Sequence, residues 1–248
     1  MNKPQLFVDD GGAGGLPVVF LHSSAGTTAH WDGLLAHLRP TRRALALDLP
    51  GHGRSAAPAR WDIPAQAALV AADLDVLGLE RFALVGHSLG GAIAIALAAA
   101  HPRRVAGLFL LDPATDGRAL PAEVATGLMQ ALRSERYAAT ADAYWESLLV
   151  GAQPATRVRL TAELHATAPA TITNGLQALL QFDPVTPLRS YPGPRLTAYT
   201  AITDQPNAVH ALVPELPRRR IEGVSHWPQF DAPAEVQEIL DRFLAQLG

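Results

Sequence analysis

Four stretches of the chain are apolar without interruption: Pro17–His22 (PVVFLH), Ala44–Leu47, Phe82–Val85 and Val105–Leu111. Unbroken runs of this length mark strands buried on both faces. Between them the apolar positions change period. Trp31, Leu34, Leu35 and Leu38 recur at i, i+3, i+4 and i+7, and Ile63, Ala67, Val70, Leu74 and Leu77 form a second helical stripe. A third stretch, rich in Ala, Ile and Leu, runs from Gly91 to about His101. Leu6–Val8 is a short strand candidate, followed by the turn-rich DDGGAGG at 9–15. Strands alternating with helices predict an α/β fold with a mostly parallel sheet covered by helices on both faces.

The alternation stops after Asp112. From about 114 to 190 there are helical stripes, notably Tyr137, Ala141, Tyr144, Trp145 and Leu148, then Leu176, Leu179 and Leu180, with almost no strand signal. The segment closes in the Pro-rich DPVTP and YPGP. Strand pattern returns at Leu196–Ala201 and Arg219–Ile221, before a final helix from about Ala234 to Leu247. The reading is one core, 1–113 with 191–248, interrupted by a helical insertion at 114–190.

Composition narrows the chemistry. Across 248 residues, 20 Lys plus Arg stand against 23 Asp plus Glu, a formal charge of −3. That balance gives no electrostatic footprint for nucleic acid or an anionic membrane. There is no Cys, so disulfides, thiolate metal sites and cysteine nucleophiles are excluded. The longest apolar run, Ala92–Ala100, is nine residues, against about 20 for a spanning helix. MNKPQLFVDD at the start has no apolar signal core. The expected location is the cytoplasm. No His or acidic residues fall at metal-ligand spacing and no G-x-G-x-x-G follows a strand, so neither metal nor cofactor is expected.

The strongest motif is Gly86-His87-Ser88-Leu89-Gly90, a G-x-S-x-G set between a buried strand and an Ala-rich helix. A serine on so sharp a turn needs neighbours without a Cβ, and Gly86 and Gly90 supply them. A serine hydroxyl is a weak nucleophile and requires a base. His226, in a loop between the last strand and the last helix, is placed for that role. Asp204, after the penultimate strand, is the expected acid that orients it, giving the order Ser88…Asp204…His226. Asp112, at the end of the fourth buried strand, is the rival, expected instead to tether the insertion.

LHSSAG at 21–26, DLPGHGRS at 48–55, GHSLGG at 86–91, LLDPA at 110–114 and GVSHWPQFDAPAEV at 223–236 together resemble the α/β-hydrolase fold superfamily, within it the small capped esterase and lactonase-like branch. The resemblance implies Ser88 as nucleophile, Asp204 as acid, His226 as base, and the insertion as a cap over the pocket. It also implies an oxyanion hole from the backbone N–H groups of Leu89 and Ser24. The family usually has Gly directly after the loop His, where this chain has Ser23, so a Ser23 or Ser24 hydroxyl is a candidate third donor. Family members that open epoxides or remove halides carry Asp at the elbow, which Ser88 disfavours.

Ser23, Trp145 and Trp227 are candidate substrate contacts, with Tyr144 and His165 as further pocket candidates. His22, His52 and His87 are expected to shape loops or pack. The expected activity is serine carboxylesterase-type hydrolysis of small to medium esters through an acyl-enzyme. Lactonase and carbon–carbon hydrolase activities share the constellation, and from another class a non-catalytic receptor or a cofactor-free oxygenase shares the fold. The expected partner is a small-molecule ester or lactone.

Overall fold

The computed structural model describes residues 4–247. Seven strands form one sheet: β1 (Val8–Gly11), β2 (Val18–Leu21), β3 (Ala44–Leu47), β4 (Phe82–His87), β5 (Val105–Leu111), β6 (Arg195–Tyr199) and β7 (Arg218–Arg220). Their spatial order is β1-β3-β2-β4-β5-β6-β7. Every neighbouring pair is parallel except β1–β3. The expected α/β class and mostly parallel sheet are therefore present. The unbroken apolar runs follow from burial on both faces. In β4, Phe82 and Leu84 enter one core with α2 (Ile63–Val76) and α3 (Leu89–Ala100). Ala83 and Val85 enter the opposite core with α1 (Asp32–Leu38) and α11 (Pro233–Leu244).

Two edge strands differ from the pattern. β1 lies at Val8–Gly11, inside the stretch read as a turn, because it is fixed by backbone pairing to β3 rather than by apolar side chains. β7 is the exposed Arg218–Arg220, whose charges suit a sheet edge. Between β5 and β6 the chain is helical: α4 (Ala122–Leu132), α5 (Tyr137–Leu148), α6 (Pro154–Ala166), α7 (Pro169–Gln181) and α8 (Val185–Ser190). Residues of α4 to α7 form a third apolar cluster with Ala25 and Trp227 of the core loops. Two short helices, α9 (Val209–Leu212) and α10 (Pro228–Asp231), and two 3₁₀ turns, Thr28–Trp31 and Gly117–Ala119, complete the elements. No helix among the described residues is long and apolar enough to cross a membrane.

The candidate active site

Parallel strands collect the ends of β2, β4, β5 and β6 on one edge of the sheet, and the chemistry-bearing loops gather there. Ser88 stands between β4 and α3 at φ 52°, ψ −115°, a region that costs an L-residue of order 1–3 kcal/mol. The two flanking glycines make the turn feasible. A Cβ on Gly86 would lie 2.4 Å from the Gly90 carbonyl oxygen, and one on Gly90 would lie 2.3 Å from that of Leu21. Because Gly90 packs so closely on β2, its N–H donates to the His22 carbonyl at 3.1 Å. The free first turn of α3 then faces the loop that follows β2. The Leu89 and Ser24 amides have no acceptor among the described residues.

His226 is buried, and its Nδ1–H donates to Asp112 Oδ2 at 2.6 Å. The expectation that Asp204 would hold this imidazole is corrected. Asp204 instead accepts from His210 Nε2 at 3.2 Å and pairs with Arg220 at 3.2 Å on a partly exposed surface. The reason lies in the sheet. β5 neighbours β4 in register His87↔Leu111, so Asp112 emerges beside Ser88. Asp204 lies well beyond the end of β6 and is carried away from the edge. Asp112 is fully buried and sits at φ 39°. It also accepts from the Thr200 N–H at 2.7 Å, the Thr200 hydroxyl at 2.9 Å and the Thr203 hydroxyl. A buried carboxylate with these donors is well satisfied. Asp112 is thus not a mere tether for the insertion. Thr200 and Thr203, which sequence reasoning passed over, face it from the loop after β6.

The loop bearing His226 is held from several sides. Its N–H donates to the Leu148 carbonyl of α5 at 3.0 Å. Its carbonyl accepts from His87 Nε2–H at 2.7 Å, while His87 Nδ1 accepts from Gln229 at 3.2 Å. Burial, reinforced by the neighbouring imidazoles, holds His87 well below the usual histidine pKa, so it remains neutral. The Ser225 N–H and hydroxyl donate to Asp231 at 3.0 and 2.5 Å. On the opposite loop, His22 Nε2 accepts from the Leu49 N–H at 2.8 Å and Nδ1–H donates to the Ser23 carbonyl at 2.7 Å. That arrangement requires the neutral ring, and burial lowers its pKa accordingly. His52 is depressed to about 4, again chiefly by burial. His22, His52 and His87 therefore shape the loops, as their positions suggested.

Ser88 and His226 line two adjoining cavities. The smaller, about 20 Å³, is bounded by Ser23, Ser24, Trp145 and Trp227. The larger, about 260 Å³, extends past Thr115, Leu128, Leu180 and Gln205. Tyr144, Leu148, Leu176 and Leu179 border both. Ser23, Trp145 and Trp227 thus line the small cavity, but the Ser23 hydroxyl is engaged, accepting from Trp227 Nε1–H at 3.0 Å. The two indoles pack with centroids 5.8 Å apart. His165 is not at the site; it pairs with Asp142 on exposed helices at 2.7 Å. Among the described residues, no Asp, Glu, Lys or Arg lines either cavity.

Comparison with known proteins bears on the fold. The family model described as alpha/beta hydrolase fold matches residues 17–233. Lipase LipV of Mycobacterium tuberculosis is 47% identical over 107 residues, 42% of this chain and 40% of that protein. The dihydrolipoyllysine-residue acetyltransferase component of the acetoin cleaving system of Pseudomonas putida is 41% identical over 124 residues, 49% of this chain and 33% of that protein. The matches therefore span well under half the length of these relatives. Among solved structures, an N-acyl homoserine lactone degrading enzyme superposes with TM-score 0.83 at 25% identity, covering 96% of both chains. A thermophilic esterase from Thermogutta terrifontis superposes with TM-score 0.84 at 23% identity, covering 98% of this chain and 93% of that one.

Proposed function

The chain belongs to the alpha/beta hydrolase fold family, and on that premise we propose that it is a serine hydrolase of uncharged carboxylic esters, working through an acyl-enzyme. The observation that carries the reading is the 2.6 Å bond from His226 Nδ1 to Asp112, with Ser88 on its strained elbow in the same cavity. With Nδ1–H committed to Asp112, the free Nε2 is the base. It takes the Ser88 proton as Oγ attacks the ester carbonyl, then returns it to the departing alcohol. Asp112 fixes the tautomer and stabilises the imidazolium without itself being protonated. The Leu89 and Ser24 amides, at the start of α3 and in the loop after β2, receive the oxyanion. Water activated by the same imidazole then releases the acid. The helices α4 to α7 act as a cap whose apolar underside bounds the pocket and excludes water.

The cavity lining favours neutral esters and lactones over carbon–carbon cleavage. Two relatives matched over part of the chain are named 2-hydroxymuconate semialdehyde hydrolase and 2-hydroxy-6-oxononadienedioate hydrolase. Those names denote carboxylate-bearing compounds, and a buried carboxylate needs a cation. No Lys or Arg among the described residues lines this pocket. The test is turnover of p-nitrophenyl acetate, butanoate and octanoate, of γ-lactones, and of a dicarboxylate vinylogous ketone. The expected result is hydrolysis of the short neutral esters with no cleavage of the dicarboxylate. Cleavage of the dicarboxylate in preference to every ester would overturn the reading.

A further inference from the structure

The roof over Ser88 is apolar except at one place. Of the residues that α5 and α7 contribute to both cavities, Leu148, Leu176 and Leu179 carry no polar group, and Tyr144 carries a phenol. Tyr144 borders both cavities beside Ser88 and His226. Its hydroxyl has no hydrogen-bond partner among the described residues, whereas the phenol of Tyr191, a fully buried residue, donates to the Val105 carbonyl at 2.8 Å. Burial raises the pKa of Tyr144, so the phenol stays protonated and available as a donor. Tyr144 is half-buried rather than enclosed, so its phenol is uncommitted within the fold and open to a ligand. Here the void above the triad is where a partner can come from. Trp145 Nε1–H is also without a partner, but a tryptophan buried within the apolar cluster of α4 to α7 offers no such opening to the larger cavity.

We propose that Tyr144 is a specificity-determining residue whose phenol donates a hydrogen bond to a second acceptor oxygen of an uncharged ester or lactone. That oxygen is a keto, ether or amide-carbonyl oxygen other than the two of the scissile group. Among the described residues no Asp, Glu, Lys or Arg lines either cavity, which disfavours a carboxylate or ammonium as the matching group. This inference rests on the hydrolase reading for turnover, but not for binding. A site built to donate a hydrogen bond discriminates strongly against the analogue that lacks the acceptor, because the donor is then buried unpaired.

Tyr144→Phe removes the donor and keeps the ring. Three matched pairs supply the contrast: ethyl pentanoate with ethyl 3-oxopentanoate, pentyl acetate with 2-ethoxyethyl acetate, and γ-butyrolactone with 2-acetamido-γ-butyrolactone. For each, the ratio of wild-type to variant kcat/KM cancels the intrinsic reactivity of the ester. The expected result is a loss of about tenfold or more on the oxygenated member of at least one pair, with less than about twofold on its bare partner. Equal effects within all three pairs would overturn the assignment. Binding of the same compounds by Ser88→Ala and Ser88→Ala/Tyr144→Phe, followed by ligand-observed NMR, separates the two claims. A binding preference for the oxygenated member that vanishes with the phenol supports the Tyr144 role even if the wild type turns nothing over, an outcome that sinks the hydrolase reading alone. Identical binding by both proteins sinks the Tyr144 role.

Discussion

Replacing Asp112 with Asn is the most informative perturbation, because Asp204, a carboxylate paired with His210 and Arg220 away from the cavity, provides a matched control. Asp112 is completely buried and accepts four hydrogen bonds, from His226 Nδ1, the Thr200 N–H and hydroxyl, and the Thr203 hydroxyl. Asn keeps the shape but has one acceptor oxygen and a donating NH₂. Thr200 and Thr203 can hold that oxygen, which turns the NH₂ toward His226. The imidazole must then present Nδ1 as acceptor and carry its proton on Nε2, where Ser88 needs a base. The loss of kcat expected for this tautomer reversal is about four orders of magnitude, or about 5.5 kcal/mol of transition-state stabilisation. Asp204→Asn breaks only a partly exposed contact to His210 and Arg220 and should change kcat less than about twofold. The assay is p-nitrophenyl butanoate hydrolysis at pH 8 by both variants, with folding matched by circular dichroism. A folded Asp112→Asn protein retaining more than a tenth of wild-type kcat, or an Asp204→Asn protein losing more, would refute the reasoning.

Other outcomes follow from packing and protonation. His52 has its pKa held at about 4 in the folded chain, against about 6.5 when unfolded. The unfolded state therefore binds more protons between those values, and about 3 kcal/mol of stability, complete above pH 6.5, is lost as pH falls to 4. Urea titrations over that window should show the decline, with a shallower slope in His52→Gln; an unchanged slope would contradict the buried-neutral assignment. Gly90→Ala puts a Cβ 2.3 Å from the Leu21 carbonyl oxygen and should destabilise by about 3 kcal/mol, visible as a lowered urea midpoint. Trp145→Ala enlarges the small cavity and should shift chain-length selectivity by about 1–3 kcal/mol, measured as the kcat/KM ratio of octanoate to acetate esters. An equal change at every chain length would show that the indole does not bound the substrate.

Much of this architecture was legible because burial on two faces writes itself as unbroken apolar runs, as in Val18–Leu21 and Phe82–Val85. The elbow at Ser88 was legible because steric exclusion leaves only Gly at 86 and 90. What escaped was whatever depends on lateral order in the sheet. The order Ser…Asp…His is satisfied by Asp112 as well as by Asp204, so chain order could not choose between them. The choice is made by β5 lying next to β4 and by a positive φ at Asp112, neither of which leaves a periodic trace. The LLDPA stretch, an Asp directly closing a buried strand, was the available signal. β1 and β7 were displaced for a related reason: edge strands are held by backbone pairing, and their side chains are free to be polar.

The central claim, that Ser88 is a nucleophile activated by His226 and Asp112, is tested most directly by reaction with a fluorophosphonate probe followed by intact-mass measurement and peptide mapping. The expected result is one adduct per chain, located on Ser88, absent from Ser88→Ala and formed far more slowly in Asp112→Asn while Asp204→Asn labels at the wild-type rate. A folded wild-type protein that forms no adduct, or forms it on another residue, would contradict the account.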